Sequence, residues 1–234
     1  MKTAILIVGH IRTWEKCKDN FIESFGHLNA DIFLTTYDLQ YNYHPAQKAN
    51  WMVGQSDLFL SKEEILNLFE GINLVGIDYE NIDIALKDYE IVFEHLNEKF
   101  KPELHTILQC RKIIRGVDLI LENESRLNQK YDSIIKIRSD IHHNLFDYEI
   151  DDSNVIISNK NVFPNDVMIA SNRDNFIKMT NFLKNEFFNP IYEDSHLNAP
   201  HNLFLRAFNY CDLKIEQKDS MKYVVRISGI QNYN

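Results

Sequence analysis

Arg138 and Asp140 stand two residues apart at the end of the most strand-like run in the chain, Ser-Ile-Ile-Lys-Ile-Arg followed by Ser139-Asp140. A carboxylate there can hold a divalent cation that neutralises a leaving diphosphate, and the neighbouring Arg can bind the same phosphates. The plain alternative is a structural Arg–Asp pair closing a turn. His142 and His143 follow; hairpin surface suits both better than metal ligation, although one of them, with His142 the candidate, could reach a cation. Gly9-His10-Ile11-Arg12-Thr13 comes after the first apolar run. Gly9 permits close approach of a ligand, and Arg12 opens a helix among its free amides, a place that suits a phosphate or a base carbonyl. Thr35-Thr36-Tyr37-Asp38 brings hydroxyls and an aromatic face that could hold a nucleoside, though turns also collect such residues for local hydrogen bonds. Late in the chain, Glu193 and Asp194, with Asp166, are candidate bases beside an acceptor hydroxyl. Acidic residues near a helix start also serve simply as caps, and His201 opens the helix that follows.

These clusters share a site only if a sheet carries them to one edge, and the patterning predicts one. Residues 3–8 read as a buried strand. Trp14, Cys17, Phe21 and Phe25 then recur at helical spacing, and 31–36 form a second strand. Strand, helix, strand is the opening of a parallel sheet with a right-handed crossover. Residues 38–57 have no period and read as a loop, with Tyr43 and Trp51 placed to fold over a ligand. Ser61 and Glu64 make a capping box before an apolar stripe that stops near Gly71. A short third strand is expected at 74–77 and a long helix at about 102–127. The strong strand 131–138 follows, then a hairpin-like pair at 155–158 and 167–170. Helices at 171–188 and 201–210 and strands at 213–216 and 223–227 complete the chain. The expected architecture is α/β: a Rossmann-like, mainly parallel sheet flanked by helices, with antiparallel additions in the C-terminal part.

A chain of 234 residues fits one domain with a sizeable core. A formal net charge of −9 argues against a nucleic acid partner, which needs an excess of Lys and Arg on one face. If the ligand carries a diphosphate, that charge must be offset locally by aimed arginines or a divalent cation. Cys17, Cys110 and Cys211 lie in apolar periodic segments and read as reduced core thiols, and no apolar run near the start is long enough for a signal peptide or a membrane span. A cytoplasmic protein is expected. The Gly-rich loop of a P-loop enzyme and the Gly-x-Gly-x-x-Gly of a dinucleotide enzyme are both absent.

In combination, Ile-Val-Gly-His-Ile-Arg-Thr-Trp at the start, Ala30-Asp31-Ile32-Phe33-Leu34-Thr35-Thr36-Tyr37-Asp38, and Tyr131 to Asp140 resemble successive blocks of small GT-A-type glycosyltransferases of bacterial polysaccharide loci and large DNA viruses. Asp166-Val167-Met168-Ile169 and the closing Tyr223-Val224-Val225-Arg226 fit the same pattern, with Arg226 a possible further contact. The resemblance implies a single GT-A-like domain, with residues 1–140 as the nucleotide-sugar half and 141–234 as the acceptor half. It implies a nucleotide-sugar donor, a glycan acceptor, and a divalent cation, Mn²⁺ or Mg²⁺, on Asp140. Gly9, Arg12, Thr35, Thr36, Tyr37 and Arg138 would hold the donor. Asp194, Glu193 or Asp166 would be the base, with inversion and retention both open. Arg138 stands where the usual Asp-x-Asp motif has its first Asp, so one carboxylate is missing. A degenerate carbohydrate-binding or scaffolding domain, or a sugar-nucleotidyltransferase, is the alternative.

Overall fold

Thr3–Val8 (β1) is buried along its whole length, and from Ala4 to Val8 its side chains are apolar on both faces, as helices covering both sides of a strand require. Ala4, Leu6 and Val8 enter one core, and Ile5 and Ile7 the other. The computed structural model describes residues 1–11, 13–39, 59–93, 104–158, 167–188, 200–219, 221–226 and 229–231, the side chains of 88–93, 104–107, 186–188, 200–202, 221–226 and 229–231 excepted.

After β1 come helix α1 (Trp14–Phe25), strand β2 (Asp31–Tyr37), helix α2 (Lys62–Leu68), strand β3 (Leu74–Glu80) and helix α3 (Ile82–Phe93). Helix α4 (Leu104–Leu127) leads to β4 (Ser133–Arg138), β5 (Ile141–His143), β6 (Asn154–Ser158) and β7 (Met168–Asn172). The chain continues through α5 (Arg173–Phe188), α6 (Pro200–Tyr210), β8 (Lys214–Lys218), β9 (Met221–Arg226) and β10 (Gly229–Gln231). A seven-stranded sheet has the order β3-β2-β1-β4-β7-β6-β8, and a three-stranded one the order β10-β9-β5. In the larger sheet β3, β2, β1 and β4 are parallel, β7 is antiparallel to both of its neighbours, and β8 is parallel to β6. The expected mainly parallel sheet with late antiparallel additions is therefore present.

One face of this sheet carries α4, α5 and α6, through residues such as Ile113, Val117, Phe176, Met179, Phe204 and Phe208. The other carries α1 and α2, where Trp14 stacks on Phe69 at 4.5 Å and donates its indole N–H to the Leu68 carbonyl at 3.1 Å. Each such buried side chain contributes about 1.5–3 kcal/mol, so these two cores fix where the strand ends lie.

Several boundaries differ from the sequence reading. β3 runs on from the expected end at Ile77 to Glu80, because Asp78 and Glu80 find buried cations on α4. Helix α3 had no counterpart; Asn81 begins it by accepting from the amides of Asp83 and Ile84 at 3.0 and 3.3 Å. Ser171 and Asn172 finish β7 rather than start α5, and the Asn172 side chain accepts from the Asn175 amide. His143 is buried, with its ring edge-on to Phe25, and is not hairpin surface. The loop expected at 38–57, with Tyr43 and Trp51, lies almost wholly outside the described residues.

Candidate functional site

The register of the parallel strands aligns their carboxyl ends. Val8 sits opposite Thr35 of β2 and Arg138 of β4, and Thr35 opposite Asp78 of β3. Residues directly opposite each other point to the same face, so Asp78, Thr35, Val8 and Arg138 form one row on the α4 side of the sheet. Just past Val8, Gly9 has φ +104°, and its N–H donates to the Thr35 carbonyl at 3.0 Å. A side chain there would meet no atom of the described residues within 4 Å, and the backbone conformation by itself calls for glycine.

At the end of β4 the guanidinium of Arg138 grips the next acidic residue. Nε donates to Asp140 Oδ1 at 2.9 Å and Nη2 to Oδ2 at 2.7 Å. The Asp140 carboxylate is nearly covered, and a quarter of the Arg138 side chain is exposed. The turn carrying this pair is held on both sides. Before it, Ser139 Oγ donates to the His10 carbonyl, which ties it to the loop after β1. After it, β5 is pinned to α1: the Asn20 side chain accepts from the His143 amide at 2.6 Å, and Asn20 and Ser24 donate to the His143 carbonyl. His142 Nε2 meets the Lys16 carbonyl on α1 at 2.9 Å.

A second charged group lies on the β3 side of the row. Lys112 of α4 is fully buried and reaches Asp78 at 2.9 Å and Glu80 at 3.0 Å. Arg111 donates to Glu80 through Nε and Nη2, and Arg115 Nε donates to Asp78 at 2.8 Å. Burial alone would raise both carboxyls, but the hydrogen bonds and charges of Arg115, Arg111 and Lys112 outweigh it and hold Asp78 and Glu80 below the usual carboxylate range. Burial also pulls the Lys112 ammonium below its ordinary value, against the opposing charges and hydrogen bonds of Asp78 and Glu80. The bonded partners in this cluster lie more than thirty positions apart in sequence, as in the Lys112–Asp78 bond with a separation of 34. The available signal was an Asp and a Glu two apart behind an apolar run, with Arg-Lys-x-x-Arg on α4.

Among the predicted site residues, Gly9, Arg138 and Asp140 come together at this edge. Thr35 and Thr36 are fully buried, and Tyr37 is 3% exposed. Tyr37 donates its hydroxyl to the Leu108 carbonyl at 3.1 Å, and Lys112 Nζ covers its ring at 4.2 Å. These three therefore support the edge from behind; the ring face expected to take a nucleoside lies under a lysine. Asp38 also has a structural role, since its carboxylate accepts from the amides of Leu39 and Ile82 and from Asn81. Arg12, Asp166, Glu193 and Asp194 lie outside the described residues, as do the side chains of His201 and Arg226.

Asp140 does not suit a cation as folded, because Arg138 spans both of its oxygens. No group of three His, Cys, Asp or Glu side chains among the described residues could hold a metal ion. The cysteines are free and buried, as expected. Burial, then the nearby Asp140 charge, pushes the Cys17 thiol up to about 12, and burial does the same to Cys110, so neither is a nucleophile at neutral pH. No helix among the described residues is long and apolar enough to cross a membrane.

The sequence matches no protein-family profile and no curated protein. Among solved structures, the apo form of the glycosyltransferase GlyE of Streptococcus pneumoniae overlaps 92% of this chain at 9% identity and a TM-score of 0.46. The chain spans 44% of that protein's length. The PaToxG glycosyltransferase overlaps 90% of the chain at 12% identity and a TM-score of 0.42, with 68% of its own length covered. The galactosyltransferase LgtC, solved with donor and acceptor sugar analogs, overlaps 88% at 8% identity and a TM-score of 0.43, with 70% covered.

Proposed function

We propose that the carboxyl edge of the main sheet binds a nucleotide sugar through its diphosphate, and that the chain transfers the sugar to a carbohydrate acceptor. The observation that carries this reading is the row at that edge. It sets Arg138, its guanidinium held by Asp140, opposite Val8 in the strand register, with the backbone of Gly9 just beyond. In an open α/β sheet that edge is where ligands bind. In a protein of net charge −9, an aimed Arg is the kind of local positive group a diphosphate needs.

In the proposed step the acceptor oxygen bonds to the anomeric carbon. The bond from that carbon to the phosphate oxygen breaks, and its electron pair stays on the phosphate. Arg138 faces the charge that develops there, and stabilising it is the largest contribution expected of the site. The acceptor's proton passes to a carboxylate, for which Asp194, Glu193 and Asp166 are proposed. Arg12 is proposed as a second phosphate contact.

A thermal-shift screen of UDP-, GDP-, dTDP- and CMP-sugars tests the reading. One donor class should raise the melting temperature, by an amount that grows with its concentration, and should be slowly hydrolysed without acceptor. Stabilisation by free glycans alone, with no response to any nucleotide sugar, would leave a carbohydrate-binding module instead.

A further inference from the structure

The ring expected to take a nucleoside, Tyr37, lies under Lys112, but the strand ends carry a second aromatic side chain. Phe59 comes just before α2 and forms an antiparallel bridge with Leu39, two residues beyond the end of β2. The backbone around it is well bonded. The Leu60 amide donates to the Asp38 carbonyl at 3.0 Å, and the Tyr79 hydroxyl donates to the Leu60 carbonyl at 2.8 Å. The Asp38 carboxylate accepts from the amides of Leu39 and Ile82 at 2.8 and 2.9 Å. Leu39 is buried in a cluster with Tyr37, Ile82 and Leu108, and Leu60 packs against the core on the α1 and α2 side. Phe59, opposite the one and next to the other, is 63% exposed. An exposed phenyl ring contributes little to folding, and one carried on a bonded backbone loses little freedom when a flat ligand covers it.

Its place suits a base. Thr35 lies opposite Asp78, Tyr37 opposite Glu80 and Leu39 opposite Phe59, so these pairs lead outward from the carboxyl edge on the side that holds Val8 and Arg138. The backbone of Asp38 bonds to both Glu80 and Leu60, so the segment of Phe59 continues the line of β3, two strand spacings or about 10 Å across from β1. A nucleoside diphosphate with its phosphates at the ends of β1 and β4 reaches that line with its base. We infer that Phe59 receives the nucleobase of the donor, ring and base lying face to face. This rests on the nucleotide-sugar reading given above. Stacking needs only a π-face, which every base has, so Phe59 supplies affinity without choosing among bases.

Calorimetric titration of the full chain with UDP, GDP and dTDP, in MnCl₂ so that any need for a cation is met, tests the inference. At least one nucleotide should bind wild type, and Phe59→Ala should weaken it about fivefold or more. Phe59→Leu keeps apolar bulk without a π-face and should weaken it nearly as much, whereas Phe59→Tyr should keep wild-type affinity. Tyr210→Ala removes a ring that is also 63% exposed, from the end of α6 just before β8, and should change nothing. A smaller loss in Phe59→Ala overturns the inference and leaves the transferase reading intact. Equal behaviour of Phe59→Leu and Phe59→Tyr does the same, because the ring would then serve as bulk and not as a stacking face. Failure of all three nucleotides to bind wild type removes the transferase reading, and this inference with it. Melting curves of the variants separate lost binding from lost structure, and the contrast between Phe59→Leu and Phe59→Tyr stands even if Phe59→Ala does not fold.

Discussion

Lys112 has no exposed surface, yet it carries a charge between Asp78 and Glu80 and against the ring of Tyr37. Removing one member of a buried ion cluster leaves its partners uncompensated, which costs about 3–5 kcal/mol, more than the paired cluster contributes over an apolar replacement of the whole. The sign of the pH dependence follows from the carboxyls. Both have folded values below their unfolded ones, so their stabilisation is fully present above about pH 4 and is lost as pH falls through the lower folded values. Melting curves of wild type and Lys112→Met between pH 7 and pH 3 should therefore converge. The variant should melt well below wild type at pH 7, and the gap should narrow in acid, where protonated carboxyls no longer need the ammonium. A constant gap across that range would mean that Lys112 matters for its packing and not for its charge.

Helix α4 approaches β1 at a bare position, Gly116, and this sets the spacing of the α4 layer there. A methyl group at Gly116 would lie 2.4 and 2.6 Å from the two terminal carbons of Leu6, which has no exposed surface at the middle of β1. Overpacking of this kind costs about 1–3 kcal/mol, against a gain of up to about 1 kcal/mol from putting alanine for glycine in a helix. Gly116→Ala should thus lower the stability in urea modestly and Gly116→Val more, and Leu6→Val should offset part of either loss when combined with it. Additive effects would show that the helix shifts instead of pressing on Leu6. Elements of this kind, built from local pattern, were legible in the sequence. β1, β2 and β4 follow from their apolar runs, and the Ser61–Glu64 capping box forms with both of its reciprocal hydrogen bonds. What periodicity missed was set by distant partners. The end of β3 looked like loop because Asp78 and Glu80 are charged, and only cations on α4 make them strand residues. Helix α3 lacks a clean apolar stripe, and its start depends on Asp38 as well as Asn81. At the site the position of Arg138 and Asp140 could be read from the strand that ends there, whereas their closure on each other could not, since a carboxylate behind an Arg is equally consistent with a ligand or a latch.

Across the whole molecule the two edges of the main sheet are built differently. At the amino edge polar groups close on one another: Tyr131 donates its hydroxyl to Asp31 at 2.6 Å and accepts from Asn123 at 2.8 Å, and Lys2 reaches Asp31 at 3.2 Å. Arg173 spans both oxygens of Glu124, which in turn accepts from the Tyr131 amide. At the carboxyl edge polar groups also close, in the Asp78–Glu80 cluster and the Arg138–Asp140 pair, but the backbone opens at Gly9 and the hydroxyls of Thr35 and Ser158 meet no hydrogen-bond partner among the described residues. Each buried unpaired group costs about 1–3 kcal/mol that the fold must offset elsewhere, and on the function proposed above that cost falls at the ligand edge. Substitutions should therefore separate by edge. Tyr131→Phe leaves the ring against Phe33 and removes only the hydroxyl, so it should cost about 1–3 kcal/mol in denaturant unfolding and leave nucleoside diphosphate affinity unchanged. Thr35→Val should hold or raise stability, because it replaces a buried hydroxyl that has no partner among the described residues with a methyl of similar shape. If Tyr131→Phe instead weakened the ligand in proportion to its loss of stability, the sheet would be transmitting strain from one edge to the other, and the division of labour between them would be wrong.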